Sequence, residues 1–383
     1  MSQPILLLSL AAFVASATTR LCDALLPAIA GEFAVPVSAA AVAVTAFTAA
    51  YGLFQLAYGP VGARIGPYRT AALGTMLSTV GTLACAFAPS LGWLALGRAA
   101  SGLTAAAIIP MAMAHIGESV PYERRQAVIA RFLMGSITGV IAGQSLAGLF
   151  ADIFTWRQLF VVLAAGFAVI GALLLKGAAT ASTGPRPPAG AALQQYRAVL
   201  AAPWARVVLL TVSLEGFLCF GAYPYLSVHL QRQFGLDYLA IGLVMSAFGL
   251  GGLAYAMSVR LLLARLGETG LAATGGLLLA FCYLLAAVAP VWQAVVPATM
   301  GLGLGFYMLH NTLQTNATQM APENRSAAIS LFAFCLFVSQ SLGAALLGVA
   351  GEITGFRVLF VVAGLGLLGV ALGFRRQKRA VAV

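Results

Sequence analysis

Arg20 and Asp23 stand three residues apart inside an apolar run. At that spacing on a helix their side chains share one face. A charge at the middle of a bilayer costs roughly 2.5–3.5 kcal/mol on insertion scales, so charges kept there face a cavity, a partner or both. A neighbouring cation and a change in solvation act in opposite senses on a carboxyl group. In a cavity that opens first to one side and then to the other, Asp23 is therefore suited to load a proton on one side and release it on the other. The alternative for the same two residues is a structural ion pair.

Glu215 lies midway along another apolar run and has no basic neighbour within it. It suits a proton or a cationic ligand, or a pairing with an arginine from elsewhere in the chain. Arg98 is a further intramembrane charge, and a pairing with Asp23 is geometrically reasonable. His310 sits in a polar stretch with Phe306, Tyr307, Asn311, Gln314 and Asn316, unusual for a lipid-facing surface. Tyr51, Phe54, Gln55, Phe132, Gln144, Phe217, Phe220, Phe337 and Gln340 complete the candidate lining of a cavity. Such a lining, aromatic with a few polar groups and an acid, suits small organic amphiphiles.

The elements that must position these residues are membrane helices. The chain is 61% hydrophobic and 8% charged, with mean hydropathy +0.97, whereas soluble domains carry about 25% charged residues. At roughly 20 apolar residues per crossing, about twelve spans are expected: 5–30, 38–63, 69–88, 91–117, 125–151, 156–177, 203–229, 238–265, 269–289, 291–319, 325–351 and 355–375. The net charge of +11 is explained by topology. Arg64, Arg69, Arg124, Arg125, Lys176, Arg186, Arg197, Arg206, Arg260, Arg265, Arg325 and the Arg375–Arg379 cluster fall on one side, while Arg157, Arg232 and Arg357 fall on the other. Basic residues collect in cytoplasmic loops, which places both termini in the cytoplasm and gives no reason to expect nucleic acid. Met1-Ser2-Gln3-Pro4 lacks the positive charge of a signal peptide, despite Ala15-Ser16-Ala17.

The second half repeats the first at an offset of about 200 residues. Pro121-Tyr122-Glu123-Arg124-Arg125-Gln126-Ala127 answers to Ala321-Pro322-Glu323-Asn324-Arg325-Ser326-Ala327, and Trp156-Arg157-Gln158-Leu159-Phe160 to Phe356-Arg357-Val358-Leu359-Phe360. The expected fold is an all-α membrane protein of twelve transmembrane helices in two pseudo-repeated six-helix bundles, residues 1–177 and 203–383. A cytoplasmic linker, residues 178–202, joins them; Thr180 to Pro188 cannot form a regular helix, and Gln194 to Leu200 suits a short surface helix. Two such bundles leave a cleft near the bilayer midplane, the arrangement of secondary transporters.

Across essentially its whole length the sequence resembles the major facilitator superfamily. Gly59-Pro60-Val61-Gly62-Ala63-Arg64-Ile65-Gly66-Pro67-Tyr68-Arg69 stands where that family carries a G-x-x-x-D-R-x-G-R-R-type gating loop. By this resemblance Gly59, Gly62, Arg64, Gly66 and Arg69 belong to the gate. Leu96-Gly97-Arg98-Ala99-Ala100-Ser101-Gly102 is similar to the R-x-x-x-G motif, which implies proton coupling or structural pairing for Arg98. Asp23-Ala24-Leu25-Leu26-Pro27 is similar to the acid-then-proline start of the drug/proton antiporter branch. Ala63 replaces the loop's acid, so its charge latch is weaker or built otherwise. Gly135, Gly139, Gly143 and Gly148 approach the antiporter glycine pattern, with Gln144 in place of its proline.

These features imply a proton antiporter that exports small organic or drug-like compounds from a bacterial inner (plasma) membrane, with Asp23, Glu215, Arg20 and Arg98 as the proton-coupling set. The alternative is a proton symporter importing a sugar, nucleoside or organic acid. The partners are the substrate, protons and the lipid bilayer, and the expected state is a monomer. No nucleophile–base pair, phosphate-binding loop or metal spacing points to an enzyme or a cofactor. The five cysteines are scattered singly and read as small apolar fillers.

Overall fold

The structure, a computed structural model, describes residues 3–178 and 191–381; Thr180 to Pro188 of the linker lie outside the described residues. The helices in chain order are α1 (Gln3–Glu32), α2 (Val37–Ala40), α3 (Val42–Ile65), α4 (Pro67–Ala86), α5 (Leu91–Ala105), α6 (Ile108–Ser119), α7 (Tyr122–Ile153), α8 (Trp156–Ala178), α9 (Ala191–Ala201), α10 (Pro203–Ala222), α11 (Tyr225–Phe234), α12 (Tyr238–Val288), α13 (Val295–Ala317), α14 (Arg325–Thr354) and α15 (Phe356–Val381). No strand occurs among the described residues. The helical membrane protein expected from the sequence is therefore seen, and the expected surface helix in the linker is α9.

Nine stretches among the described residues are helical, long and apolar enough to cross a membrane. One of these is α12, whose 51 residues would reach roughly 75 Å at 1.5 Å each, far beyond a hydrocarbon core of about 30 Å. Gly267, at φ 63°, turns the chain there, so two helices follow one another without a loop. Glycine takes that left-handed conformation without the Cβ clash another residue would meet. The expected spans 69–88 and 291–319 appear as α4 and α13 but stand outside the nine, their apolar runs diluted by serine, threonine, glycine, His310, Asn311, Gln314 and Asn316.

Prolines explain several interior breaks, and polar side chains repair them. Pro110 has no N–H for the carbonyl of Ala106, four residues earlier, and the chain breaks there into α5 and α6. Gln55 supplies the missing donor, its Nε2 lying 3.3 Å from Ala106 O. Pro60 likewise deprives Leu56 O inside α3, and the hydroxyl of Tyr196 on α9 donates to that carbonyl at 2.8 Å. Pro224 separates α10 from α11.

Glycines set the closest helix approaches. A Cβ on Gly139 or Gly143 would lie 2.2 or 2.4 Å from the carbonyl oxygen of Phe13 or Ala17, so α7 rests backbone-to-backbone on α1. One repeat later Gly343 rests on Phe217 of α10 in the same way, at 2.2 Å. Small residues at such spacing let membrane helices touch. The N-terminal and C-terminal segments meet along two long seams, α3 with α14 and α7 with α12, while α1 reaches α11 and α12 between them.

Candidate functional site

Where α1 meets the C-terminal segment, Arg20 lies between the two sides. Its Nη1 is 3.4 Å from Asp23 Oδ2 and its Nη2 is 3.4 Å from Gln340 Oε1 on α14. Its guanidinium carbon stands 3.6 Å from the centre of the Phe220 ring on α10. Both polar contacts are longer than the usual 2.7–3.2 Å, so the five-donor guanidinium is held loosely. Asp23 is fully buried, and its Oδ1 and the Nε2 of Gln340 have no hydrogen-bond partner.

A second acid–base pair lies within the C-terminal segment. Glu215 Oε2 on α10 is 2.9 Å from His310 Nδ1 on α13. Glu215 is fully buried with Oε1 unpartnered, and the His310 ring stacks on Phe306 at 4.8 Å and 17°. Of the alternatives for Glu215, the pairing with an arginine is not seen: a histidine on a neighbouring helix takes that place. Phe306 also meets Phe220 at 4.7 Å, Phe248 at 5.9 Å and Tyr307 at 5.4 Å. An aromatic wall thus joins the two pairs.

Arg98 does not pair with Asp23. Its Nε donates to Ala43 O at 2.7 Å and its Nη1 to Thr18 O at 2.9 Å, with the Phe47 ring 4.2 Å away. It is fully buried and ties α5 to α1 and α3. Gln144 bridges the segments instead: its Nε2 donates to the Tyr223 hydroxyl at 3.1 Å, which donates to Met245 O at 2.7 Å.

The other expected lining residues divide. Tyr51 and Phe337 meet across the α3–α14 seam at 4.3 Å. Tyr307 stacks near Tyr255 at 6.2 Å, Phe217 and Asn311 are half-buried, and Phe132 is fully buried. Phe54 and Gln314 are exposed. Gln55 serves the broken helix rather than a cavity. In the gating loop, Gly59 faces Ser330 and Ser326 of α14, Gly62 packs on Met111, and Gly66 turns the chain at φ 87°. Arg64 and Arg69 are exposed and enter no ion pair among the described residues.

Sequence reasoning missed the groups that link the two halves of the chain at the end away from α9. Asp152 at the end of α7 accepts from the backbone N–H of Tyr238 at 3.2 Å and of Leu239 at 2.5 Å, opening α12. Glu352 at the end of α14 accepts from Ser38 N at 3.2 Å and Ser38 Oγ at 2.5 Å, opening α2. Glu32 also binds Arg157 there, at 2.8 Å. At the α9 end, Glu268 pairs with Lys378, which reaches Asn316 Oδ1 at 2.9 Å. The repeat was the available signal for Asp152 and Glu352. Among the described residues no group of His, Cys, Asp and Glu is placed to hold a metal, and each cysteine is free.

Comparison with known proteins adds four findings. The family model described as Major Facilitator Superfamily matches residues 8–344. The "Uncharacterized MFS-type transporter YwfA" of Bacillus subtilis is 26% identical over 395 residues, covering 98% of this chain and 92% of that protein. The "Multidrug resistance protein Stp" of Mycobacterium tuberculosis is 34% identical over a shorter stretch, 25% of this chain and 18% of that one. Among solved structures, a POT family transporter in complex with 5-aminolevulinic acid superimposes with a TM-score of 0.78 at 15% identity, covering 96% of this chain and 94% of that one.

Proposed function

This chain belongs to the Major Facilitator Superfamily, an integral membrane protein and secondary transporter rather than an enzyme, and we propose that it is a proton-driven antiporter exporting small organic, drug-like compounds. Its working form is a monomer in a bacterial inner membrane. Twelve spans, with α12 counted as two, form two six-helix bundles that rock about the central site. The α9 end, where basic residues collect, is cytoplasmic.

One observation carries this reading: Arg20 is shared between Asp23 of its own bundle and Gln340 and Phe220 of the other. Protonating Asp23 removes the countercharge that holds Arg20 and so changes its grip across the interface. Two unit charges 4 Å apart attract on a scale of about 4 kcal/mol at an effective dielectric near 20. That is comparable to the ~5.5 kcal/mol needed to drive a two-state equilibrium from 1:99 to 99:1. A charge crossing 100 mV adds about 2.3 kcal/mol.

Glu215 supplies the competition that antiport requires. Its carboxylate accepts either a proton or a cationic group on a cargo lying against Phe306, Phe220 and Tyr307, but not both. In proteoliposomes with an imposed pH gradient, cargo addition is expected to release protons opposite to cargo movement. Asp23→Asn abolishes uphill movement while the protein stays folded. Uphill transport that survives in Asp23→Asn defeats the mechanism.

The loose hold on Arg20 also favours a second reading, proton symport of a sugar, nucleoside or organic acid. Once Asp23 is protonated, Arg20 is free for a substrate anion, so proton and anion load together. Movement of cargo in the same direction as the proton selects this reading.

A further inference from the structure

Seven side-chain polar atoms among the described residues are buried without a hydrogen-bond partner, and four of them belong to the site between the two halves. They are Asp23 Oδ1 and Gln144 Oε1 from the N-terminal half, and Glu215 Oε1 and Gln340 Nε2 from the C-terminal half. The other three are scattered over α4, α5 and α15. A buried group that gives up water and gains no partner costs free energy, so folded proteins pair nearly all of them. Four in one region imply a common partner.

The four are grouped about one ring. Arg20, which reaches Asp23 and Gln340, lies 3.6 Å from the centre of Phe220. Tyr223, which accepts from Gln144, meets the same ring at 6.3 Å. Phe306 meets it at 4.7 Å and stacks on His310, the partner of Glu215. Asp23 and Arg20 both lie within electrostatic reach of the Tyr223 hydroxyl, as Glu215 and Arg20 do of the Cys219 thiol. Asp23, Gln144, Glu215 and Gln340 are all buried, so a ligand reaches them only when the halves part.

What each atom requires is fixed by its neighbour in the same side chain. Gln340 Oε1 accepts from Arg20, whose guanidinium can only donate, so the unpaired end is the amide NH2. Tyr223 donates its single hydroxyl proton to Met245 O and therefore accepts from Gln144. The unpaired end of Gln144 is thus its carbonyl oxygen. Three oxygens, two of them on acids, and one N–H donor await partners. A cationic head with several N–H groups and an acceptor oxygen beside it supplies all of these. A quaternary ammonium has the charge but no N–H, and would desolvate the oxygens without bonding any of them. Asp23 and Glu215 also set two carboxyl groups beside one guanidinium, which leaves room for a second cation.

We propose that the cargo head is a primary ammonium group with a carbonyl oxygen close by, held through its N–H groups by oxygens of both halves and through its carbonyl by Gln340. An aromatic body lies on Phe220 and Phe306. This rests on the transporter reading and narrows its cargo from organic cations in general to amines that donate hydrogen bonds.

The test uses the purified full chain and three probes. They are the methyl ester of β-homophenylalanine, its N,N,N-trimethyl form, and the primary amine with a methylene group in place of the carbonyl. The ester should bind about a hundredfold more tightly than the trimethyl form and about tenfold more tightly than the methylene analogue, by calorimetric titration. Gln340→Met, which removes the amide NH2, should bring the ester and the methylene analogue to within a factor of about two. The probe series on the wild type stands even where that variant fails to fold. Equal binding of the primary and trimethyl forms overturns the proposal. So does an ester that does not bind, or a carbonyl preference that survives in folded Gln340→Met. A primary-amine preference without proton movement in proteoliposomes would remove the antiport reading and leave the head-group assignment standing. Proton-linked movement of the primary and trimethyl forms alike would do the reverse.

Discussion

Asp152 and Glu352 use the same device twice at the end away from α9: each carboxylate, on the last turn of a helix in one half of the chain, caps the first turn of a helix in the other half. They stand one repeat length, about 200 residues, apart, as do the capped residues Ser38 and Tyr238. The first N–H groups of a helix have no internal partner and carry partial positive charge, so a carboxylate satisfies them twice over. Placed between bundles, the caps exist only while that end is closed. An N-cap is worth about 1 kcal/mol, or roughly a fivefold population shift at RT near 0.6 kcal/mol. Asp152→Ala or Glu352→Ala should each move the resting equilibrium by about that factor toward the state open at this end, and the double variant by their product. Spin-label distances between α2 and the end of α14 measure it. Unchanged distances in the double variant would show that the caps merely decorate a closure made elsewhere.

Glu215→Gln should keep the contact with His310 and lose the titration. In the wild type, cargo affinity is expected to fall as the medium is acidified, because proton and cargo compete for the carboxylate. The variant should bind with an affinity independent of pH. Binding titrations at several pH values decide this, and a variant that keeps the wild-type slope would move the competition away from Glu215.

How far this site was legible depended on whether its partners were local. Arg20 and Asp23 share a helical face by spacing alone, and the structure keeps them together. The partner of Glu215 comes from α13, 95 residues away, and no spacing rule reaches that far. The bond of Gln55 to Ala106 O was hidden for a physical reason: a polar side chain that repairs a proline-broken helix resembles, in sequence, one that lines a cavity. The readable clue was Pro110, whose missing N–H orphans Ala106 O. Arg98 misled similarly, since a buried arginine can be satisfied by carbonyls with no acid beside it. The repeat, the helical class and the linker helix were legible because hydropathy and internal similarity report them directly.

Arg98→Lys should destabilise the protein without touching coupling. Charge-assisted hydrogen bonds are worth about 1.5–3 kcal/mol each, and lysine cannot span Ala43 O and Thr18 O as the guanidinium fork does. Loss of one bond predicts a lower melting temperature in detergent and less folded protein. The proton-to-cargo ratio of the folded fraction should stay at the wild-type value. A changed ratio would place Arg98 in the coupling path.

Gly148→Ala tests whether the far-end closure is set by backbone contact. A Cβ there would lie 2.2 Å from Tyr238 O and 3.0 Å from the Cα of Gly242, and neither atom is the end of a flexible side chain. The helices must part, and the Asp152 cap one turn away must lengthen with them. The variant should therefore shift the α7–α12 distance at this end outward and lower stability by about 1–3 kcal/mol, the range for overpacking. Gly242→Ala meets the same contact from the other side, so the pair should cost less than the sum of the single changes. Gly31→Ala, where nothing lies within 4 Å, is the control: it should leave the distance unchanged and, lying inside α1, raise stability by up to about 1 kcal/mol. If Gly148→Ala and Gly31→Ala behave alike, the close approach at Gly148 does not hold the end shut, and the carboxylate caps carry the closure alone.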